Sequence, residues 1–168
     1  MKAVIFDLDG VITDTAEYHF LAWKRIAEQL HIPFDRSFNE SLKGIGRQQS
    51  LDNILTRGGA ASTFTTAEKQ ALMRQKNQYY QKLIENLAPG DLLPGIGKLL
   101  SELKDEHIQI ALASSSRNAP AILKRLGISG DFQALVDPET IEKGKPAPDI
   151  FLTAAALLPG RVCGNRRC

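Results

Sequence analysis

The sequence predicts an α/β protein: a doubly wound parallel sheet, incomplete at its last strands, with an inserted α-helical cap. Three observations lead there. A β-prone apolar run over residues 2–6 opens the chain and stops at Asp7-Leu8-Asp9-Gly10. Helical periodicity then holds over residues 15–88, and after Ala88-Pro89-Gly90 short apolar strands alternate with helices. Such alternation marks right-handed βαβ units, so the helical block reads as an insertion after the first strand of a core.

The first run is near-continuously apolar, which suits a strand buried on both faces of a parallel sheet. From Ala16, Phe20, Trp23, Ile26 and Leu30 recur at three- and four-residue steps, one stripe of a helix. The glycine-bearing segments 43–47 and 57–60 read as loops. A second helical stretch starts near Thr65, where Thr65 and Glu68 have capping-box spacing, and runs towards Leu87. A helix over Ile96–Lys104 leads into the apolar strand Ile108–Ala113. Ser114-Ser115-Ser116 follows, then a helix from Ala119 to Leu126 that Gly127 stops. Ala134-Leu135-Val136 is a short third strand, and the loop holding Lys145-Pro146-Ala147-Pro148-Asp149 precedes a helix through Leu158. The core is thus 1–14 with 89–168, the cap is 15–88, and segments 13–16 and 88–91 are the candidate hinges.

Composition narrows the partners. The chain of 168 residues suits one ordinary domain or a small core with an inserted subdomain. A net charge of +2, with no basic patch interleaved with aromatics, gives no support for nucleic acid or a membrane surface. The run 3–6 is too short for a signal peptide and no apolar stretch approaches a membrane-spanning helix. Only Cys163 and Cys168 occur, both in the terminal segment, so no disulfide framework is implied and a reducing cytoplasm is the simplest setting.

Asp7 and Asp9 carry the strongest chemical signal. Side chains at i and i+2 of an extended strand point the same way, and open α/β sheets bind ligands at the carboxyl ends of their strands. Paired carboxylates there can serve as nucleophile, general acid/base or magnesium ligand, or simply form a turn with Gly10. Ser114 ends the second strand, and Ser116, Arg117 and Asn118 precede a helix with Pro120 in its first turn. Hydroxyls and N–H groups there suit an anion, or an ordinary serine cap. Lys145 could neutralise a carboxylate or phosphate, or be solvated. What chance does not readily supply is all three in this order, each after an apolar strand.

Together, Asp7-Leu8-Asp9-Gly10-Val11, the strand-ending Ser114 and Lys145-Pro146-Ala147-Pro148-Asp149 resemble the first three motifs of the haloacid dehalogenase superfamily. The resemblance covers nearly all of residues 1–158 and implies that family's Rossmann-like core. It implies that Asp7 is a nucleophile that becomes an aspartyl phosphate, that Asp9 is the general acid/base, and that Ser114 and Lys145 hold the transferring phosphoryl group. Asp9 also argues against a true haloalkanoate dehalogenase. The finer likeness is to the β-phosphoglucomutase subfamily: Asp14–His19 with Trp23, the loop Leu42–Arg47 with Ser50, Lys76, and Ser115–Asn118 are similar to its linker, cap and second phosphate site. That likeness implies that Arg47, Ser116, Arg117 and Asn118 grip the non-reacting phosphate. Thr15, His19, Lys43 and Lys76 would position sugar or acid/base. Trp23, Gly44, Ser50 and Ser115 would line the substrate site, with Trp23 equally suited to core packing.

The resemblance further implies Mg2+ on Asp7 and Asp9, a sugar phosphate substrate, a hexose bisphosphate primer and a cytoplasmic monomer. It departs from the family pattern after Leu158. No acidic residue follows Asp149, and the segment 159–168 brings Arg161, Arg166 and Arg167 where a fourth acidic motif is expected. The expectation from sequence is therefore a truncated core, an uncovered edge beside the Asp7 strand, and weak or absent mutase activity. A sugar-phosphate phosphatase and a non-catalytic remnant are the alternatives.

Overall fold

The computed structural model describes residues 3–159. Strand β1 (Ala3–Phe6) is followed by helices α1 (Ala16–Gln29), α2 (Arg36–Glu40), α3 (Arg47–Arg57) and α4 (Thr66–Ile84). Then come α5 (Ile96–Asp105), β2 (Gln109–Leu112), α6 (Ala119–Arg125), β3 (Ala134–Leu135) and α7 (Asp149–Leu157). Short 3-10 turns occupy Pro89–Asp91, Ser129–Asp131 and Pro138–Thr140. Helix α2 goes beyond what periodicity picked out, although Asp35 caps it by accepting from the Phe38 N–H at 2.7 Å. The second and third strands are shorter than their apolar runs, because strand pairing and not hydrophobicity sets the ends.

The strands form a parallel sheet in the order β1-β2-β3, with Phe6 opposite Leu112 and Leu112 opposite Leu135. This register brings the residues after all three strands to one edge. Alternation along the strands covers both faces. Phe6, Ile110 and Leu112 pack with Leu100 and Leu103 of α5 and Ile122 and Leu123 of α6. Ala111, Ala113 and Ala134 face the other way, onto Ile150 and Ala154 of α7. Among the described residues β1 pairs on one side only, with Ala3 exposed and Val4 and Ile5 half-buried. The segment 159–168, where the family pattern is left, lies outside the described residues apart from Pro159, whose carbonyl accepts from Gln109 Nε2 at 3.0 Å.

The helical unit has its own core: Trp23, Ile26 and Ala27 of α1 pack against Leu51, Ile54 and Leu55 of α3, with Ile32 and Leu42. The capping box read at Thr65 and Glu68 is formed. Towards its C-terminal end α4 leaves this cluster, and Tyr80 and Ile84 join Leu8, Ile12 and Leu87 over the sheet. The two crossings between sheet and helices are tied together, since Thr13 Oγ1 donates to the Asp91 carbonyl at 2.8 Å and the Leu93 N–H to that of Ile12 at 2.9 Å.

Ile54 is fully buried in the helical core, so Ile54→Ala is expected to cost about 2–5 kcal/mol there. Native-state hydrogen exchange should show protection lost in α1 and α3 well before β2. Uniform loss across all elements would show a single cooperative core instead.

Candidate active site

A cleft of about 850 Å3 lies between the carboxyl edge of the sheet and the helical unit. Its floor begins where β1 ends. Asp7 Oδ1 accepts from the Leu8 N–H at 2.8 Å, and Oδ2 is 2.6 Å from Lys145 Nζ. Gly10 turns with φ of 75°, a left-handed conformation that a side chain disfavours, and its N–H donates to the Thr13 carbonyl at 2.8 Å. That turn leaves Asp9 facing the cleft, with Oδ1 accepting from the Thr15 hydroxyl. The surrounding protein raises the Asp9 pKa, the Thr15 hydrogen bond opposes that rise, and the Asp7 and Asp14 charges add to it. A carboxyl that resists ionisation beside one paired with a lysine is the division of labour that acid/base and nucleophile require.

Ser114, buried at the end of β2, accepts from the Ser116 N–H at 3.1 Å, and Ser116 Oγ from the Asn118 N–H at 3.3 Å. Arg117 is exposed and ion-paired with Glu139. Across the cleft, Arg47 Nη2 and Asn118 Nδ2 both donate to Asn77 Oδ1, at 2.9 and 3.0 Å. Two donors that meet on one amide oxygen could meet equally well on an anion.

Lys76 is only 2% exposed. Its Nζ is 2.9 Å from His19 Nδ1 and lies over the rings of Trp23 at 5.1 Å and Tyr80 at 4.7 Å. Burial pushes its pKa down to about 7, the Arg47 charge pushes the same way, and Asp9 pulls against both. His19 is held well below the ordinary imidazole value, chiefly by burial and then by Lys76 and Arg47. A neutral ring can accept the lysine proton at Nδ1.

Nearly all the residues singled out from sequence line this one cleft: Asp7, Asp9, His19, Trp23, Lys43, Gly44, Arg47, Ser50, Lys76, Ser114, Ser115, Ser116, Arg117, Asn118 and Lys145. Thr15 is the exception, fully buried beneath the floor. Some are engaged elsewhere. Lys43 pairs with Glu40 at 2.7 Å, Ser50 Oγ donates to the Gly46 carbonyl at 3.1 Å, and Trp23 is buried in the helical core while its edge reaches the cleft. Asn77 and Tyr80 escaped notice in the sequence. Their signal was position alone, one and four residues beyond Lys76 on α4.

Among the described residues no three His, Cys, Asp or Glu side chains cluster as a metal cage. The donors present are the hard carboxylate oxygens of Asp7 and Asp9. They fit Mg2+, which is commonly held by one or two carboxylates with substrate phosphate and water completing its shell.

Residues 1–164 match the family described as haloacid dehalogenase-like hydrolase. The chain is 70% identical over 158 residues to a beta-phosphoglucomutase of Bacillus subtilis (strain 168), covering 94% of this chain and 70% of that one. It is 29% identical over 154 residues to a phosphorylated carbohydrates phosphatase of Thermotoga maritima, covering 90% of this chain and 68% of that one. Among solved structures, a beta-phosphoglucomutase from Clostridium difficile superposes with a TM-score of 0.90 at 46% identity, covering 94% of this chain and 70% of that one.

The buried lysine makes a pH-dependent mark on stability. Its folded pKa of about 7 lies below the ordinary 10.5, so the unfolded chain binds more protons between those values. Its contribution is therefore most unfavourable at pH 7 and improves as the pH rises towards 10. Lys76→Met is expected to stabilise the fold at pH 7 by about 1–4 kcal/mol, with the gain fading towards pH 10. Thermal melts at both pH values check this, and a pH-independent difference would count against it.

Proposed function

The chain belongs to the haloacid dehalogenase-like hydrolase family, and within it we infer a phosphomutase that interconverts β-D-glucose 1-phosphate and glucose 6-phosphate. The likeness to the Bacillus and Clostridium beta-phosphoglucomutases supports that activity. One observation in the molecule carries it: two groups of donors suited to an anion line the same cleft. Lys145 and Ser114 beside Asp7 form the first. Arg47 and Asn118, converging on Asn77, form the second. A mutase needs both, because its substrate carries a phosphate at one end while the other end reacts.

In this reading phospho-Asp7 donates to the 6-hydroxyl of the 1-phosphate. The aspartyl P–O bond breaks as the new one forms, and Asp9 takes the hydroxyl proton. The bisphosphate then turns round, its 1-phosphoryl group returns to Asp7, and Asp9 gives the proton back. Lys145 and Ser114 hold the moving group, while Arg47, Ser116, Arg117 and Asn118 grip the distal phosphate. His19 and Lys76 meet the sugar, with Lys43, Gly44, Ser50, Ser115 and Trp23 along the walls and Thr15 under Asp9. Mg2+ held by Asp7 and the turn at Asp9 would neutralise charge on the phosphoryl oxygens. Residues 15–88 serve as a cap that excludes water from the aspartyl phosphate, with 13–16 and 88–91 as hinges. A hexose bisphosphate would prime Asp7. The setting inferred is a cytoplasmic monomer; among the described residues no helix is long and apolar enough to cross a membrane.

A coupled assay for glucose 6-phosphate, with β-glucose 1-phosphate, Mg2+ and a bisphosphate primer, tests the reading. Asp7→Ala is expected to abolish turnover and EDTA to silence the native chain. Arg47→Ala should reduce kcat/KM roughly tenfold to hundredfold, the value of a charge-assisted hydrogen bond. Release of free phosphate without glucose 6-phosphate would replace the mutase with a phosphatase.

A further inference from the structure

Tyr80 belongs to no motif, yet it stands between the helical unit and the Asp7–Asp9 turn. It is completely enclosed, at 0% exposure. Its ring lies 4.2 Å from that of His19 and 4.7 Å from Lys76 Nζ, and packs with Leu8 and Ile12 beneath the floor. Its hydroxyl donates to Thr15 Oγ1 at 2.9 Å, and the Thr15 hydroxyl in turn donates to Asp9 Oδ1.

Proton accounting fixes the direction of this chain. With Asp9 ionised its carboxylate can only accept, so the single Thr15 hydroxyl proton is committed to it. Thr15 then has only a lone pair to offer Tyr80, which must donate. Burial raises the phenol further above its ordinary pKa, so it keeps its proton.

We propose that Tyr80 is a positioning residue for Asp9: acting through Thr15, it keeps Oδ1 an occupied acceptor and leaves Oδ2 as the oxygen that takes and returns the substrate proton. The proposal rests on the acid/base role inferred for Asp9. In the transfer the aspartyl P–O and sugar O–H bonds break, the sugar O–P bond forms and the proton settles on Oδ2. On return the other sugar O–P bond breaks, the phosphoryl group goes back to Asp7 and the O–H bond is remade there. Oδ1 accepts from Thr15 in both states, so no hydroxyl has to turn over during the reaction. Because Tyr80 is carried by α4 while Asp9 follows β1, the orientation of the acid/base depends on how the helices seat on the sheet.

Tyr80→Phe keeps the ring and removes only the donor. It is expected to lower kcat on the order of tenfold through misorientation, with KM within about twofold because the contacts to His19 and Lys76 persist. In a Thr15→Val background the same change should cost less than about twofold, since its link to Asp9 is already gone. Losses that multiply, or a raised KM in place of a lowered kcat, would overturn the proposal. Free phosphate without glucose 6-phosphate would instead sink the mutase reading, and where the native chain turns over too weakly for kcat to be compared the relay is read without turnover. In protein labelled at tyrosine, the Tyr80 hydroxyl proton should exchange slowly with water, and in Thr15→Val it should shift and exchange faster. A hydroxyl resonance unchanged by Thr15→Val overturns the relay whether or not the enzyme turns over.

Discussion

The parallel pairing of β1 with β2 is the constraint from which the site follows. With Phe6 opposite Leu112 and the Ala113 N–H donating to the Phe6 carbonyl at 2.8 Å, Asp7 emerges beside Ala113 and Ser114. A slip of one residue would turn each side chain to the other face of the sheet, sending Ile110 and Leu112 towards α7 and the small alanines towards α5 and α6. The register that buries the large residues on one face is therefore the same one that sets Asp7 and Ser114 side by side. Packing energy and the geometry of the cleft are satisfied by a single choice.

On that scaffold the cleft is electrostatically divided. Carboxylates occupy the floor at Asp7 and Asp9, while Arg47, Lys76, Arg117 and Lys145 surround it. Each cation is restrained differently. Lys145 is paired with Asp7, Arg117 with Glu139, and Arg47 is hydrogen-bonded to a neutral amide. Among the described residues Lys76 touches a neutral imidazole and aromatic faces, and burial lowers its pKa. Cations with neutral partners in a low-dielectric pocket are costly until an anion arrives, which suits a site that binds phosphate and must exclude water.

The helical unit and the sheet are joined by an apolar plug with a polar thread through it. Tyr80, Ile84 and Leu87 close over Leu8 and Ile12, while the Tyr80–Thr15–Asp9 hydrogen bonds run inside that plug. Buried hydroxyls are tolerated there because each has its partner, and a satisfied buried network restricts orientation more than an apolar contact can.

The order of strands and helices, the inserted helical block and the Asp7, Asp9, Ser114 and Lys145 set were legible in the sequence. Each is a local matter of periodicity, strand ends or short motifs. Local pattern also sufficed for the Thr65–Glu68 capping box. It did not suffice for α2, for the 3-10 turns or for strand ends, which depend on what lies alongside. The engagement of Lys43 with Glu40 and of Arg117 with Glu139, the shared acceptor at Asn77, and the depressed pKa of Lys76 were all beyond it. So was Tyr80, an unremarkable aromatic on a helix until folding brings it 65 positions back along the chain to Thr15. Sequence by itself determined which chemical groups stand at the strand ends, because backbone periodicity puts them there. Only the tertiary structure decided which of them are buried, paired or aimed at one another, because those properties arise from contacts between segments far apart in the chain.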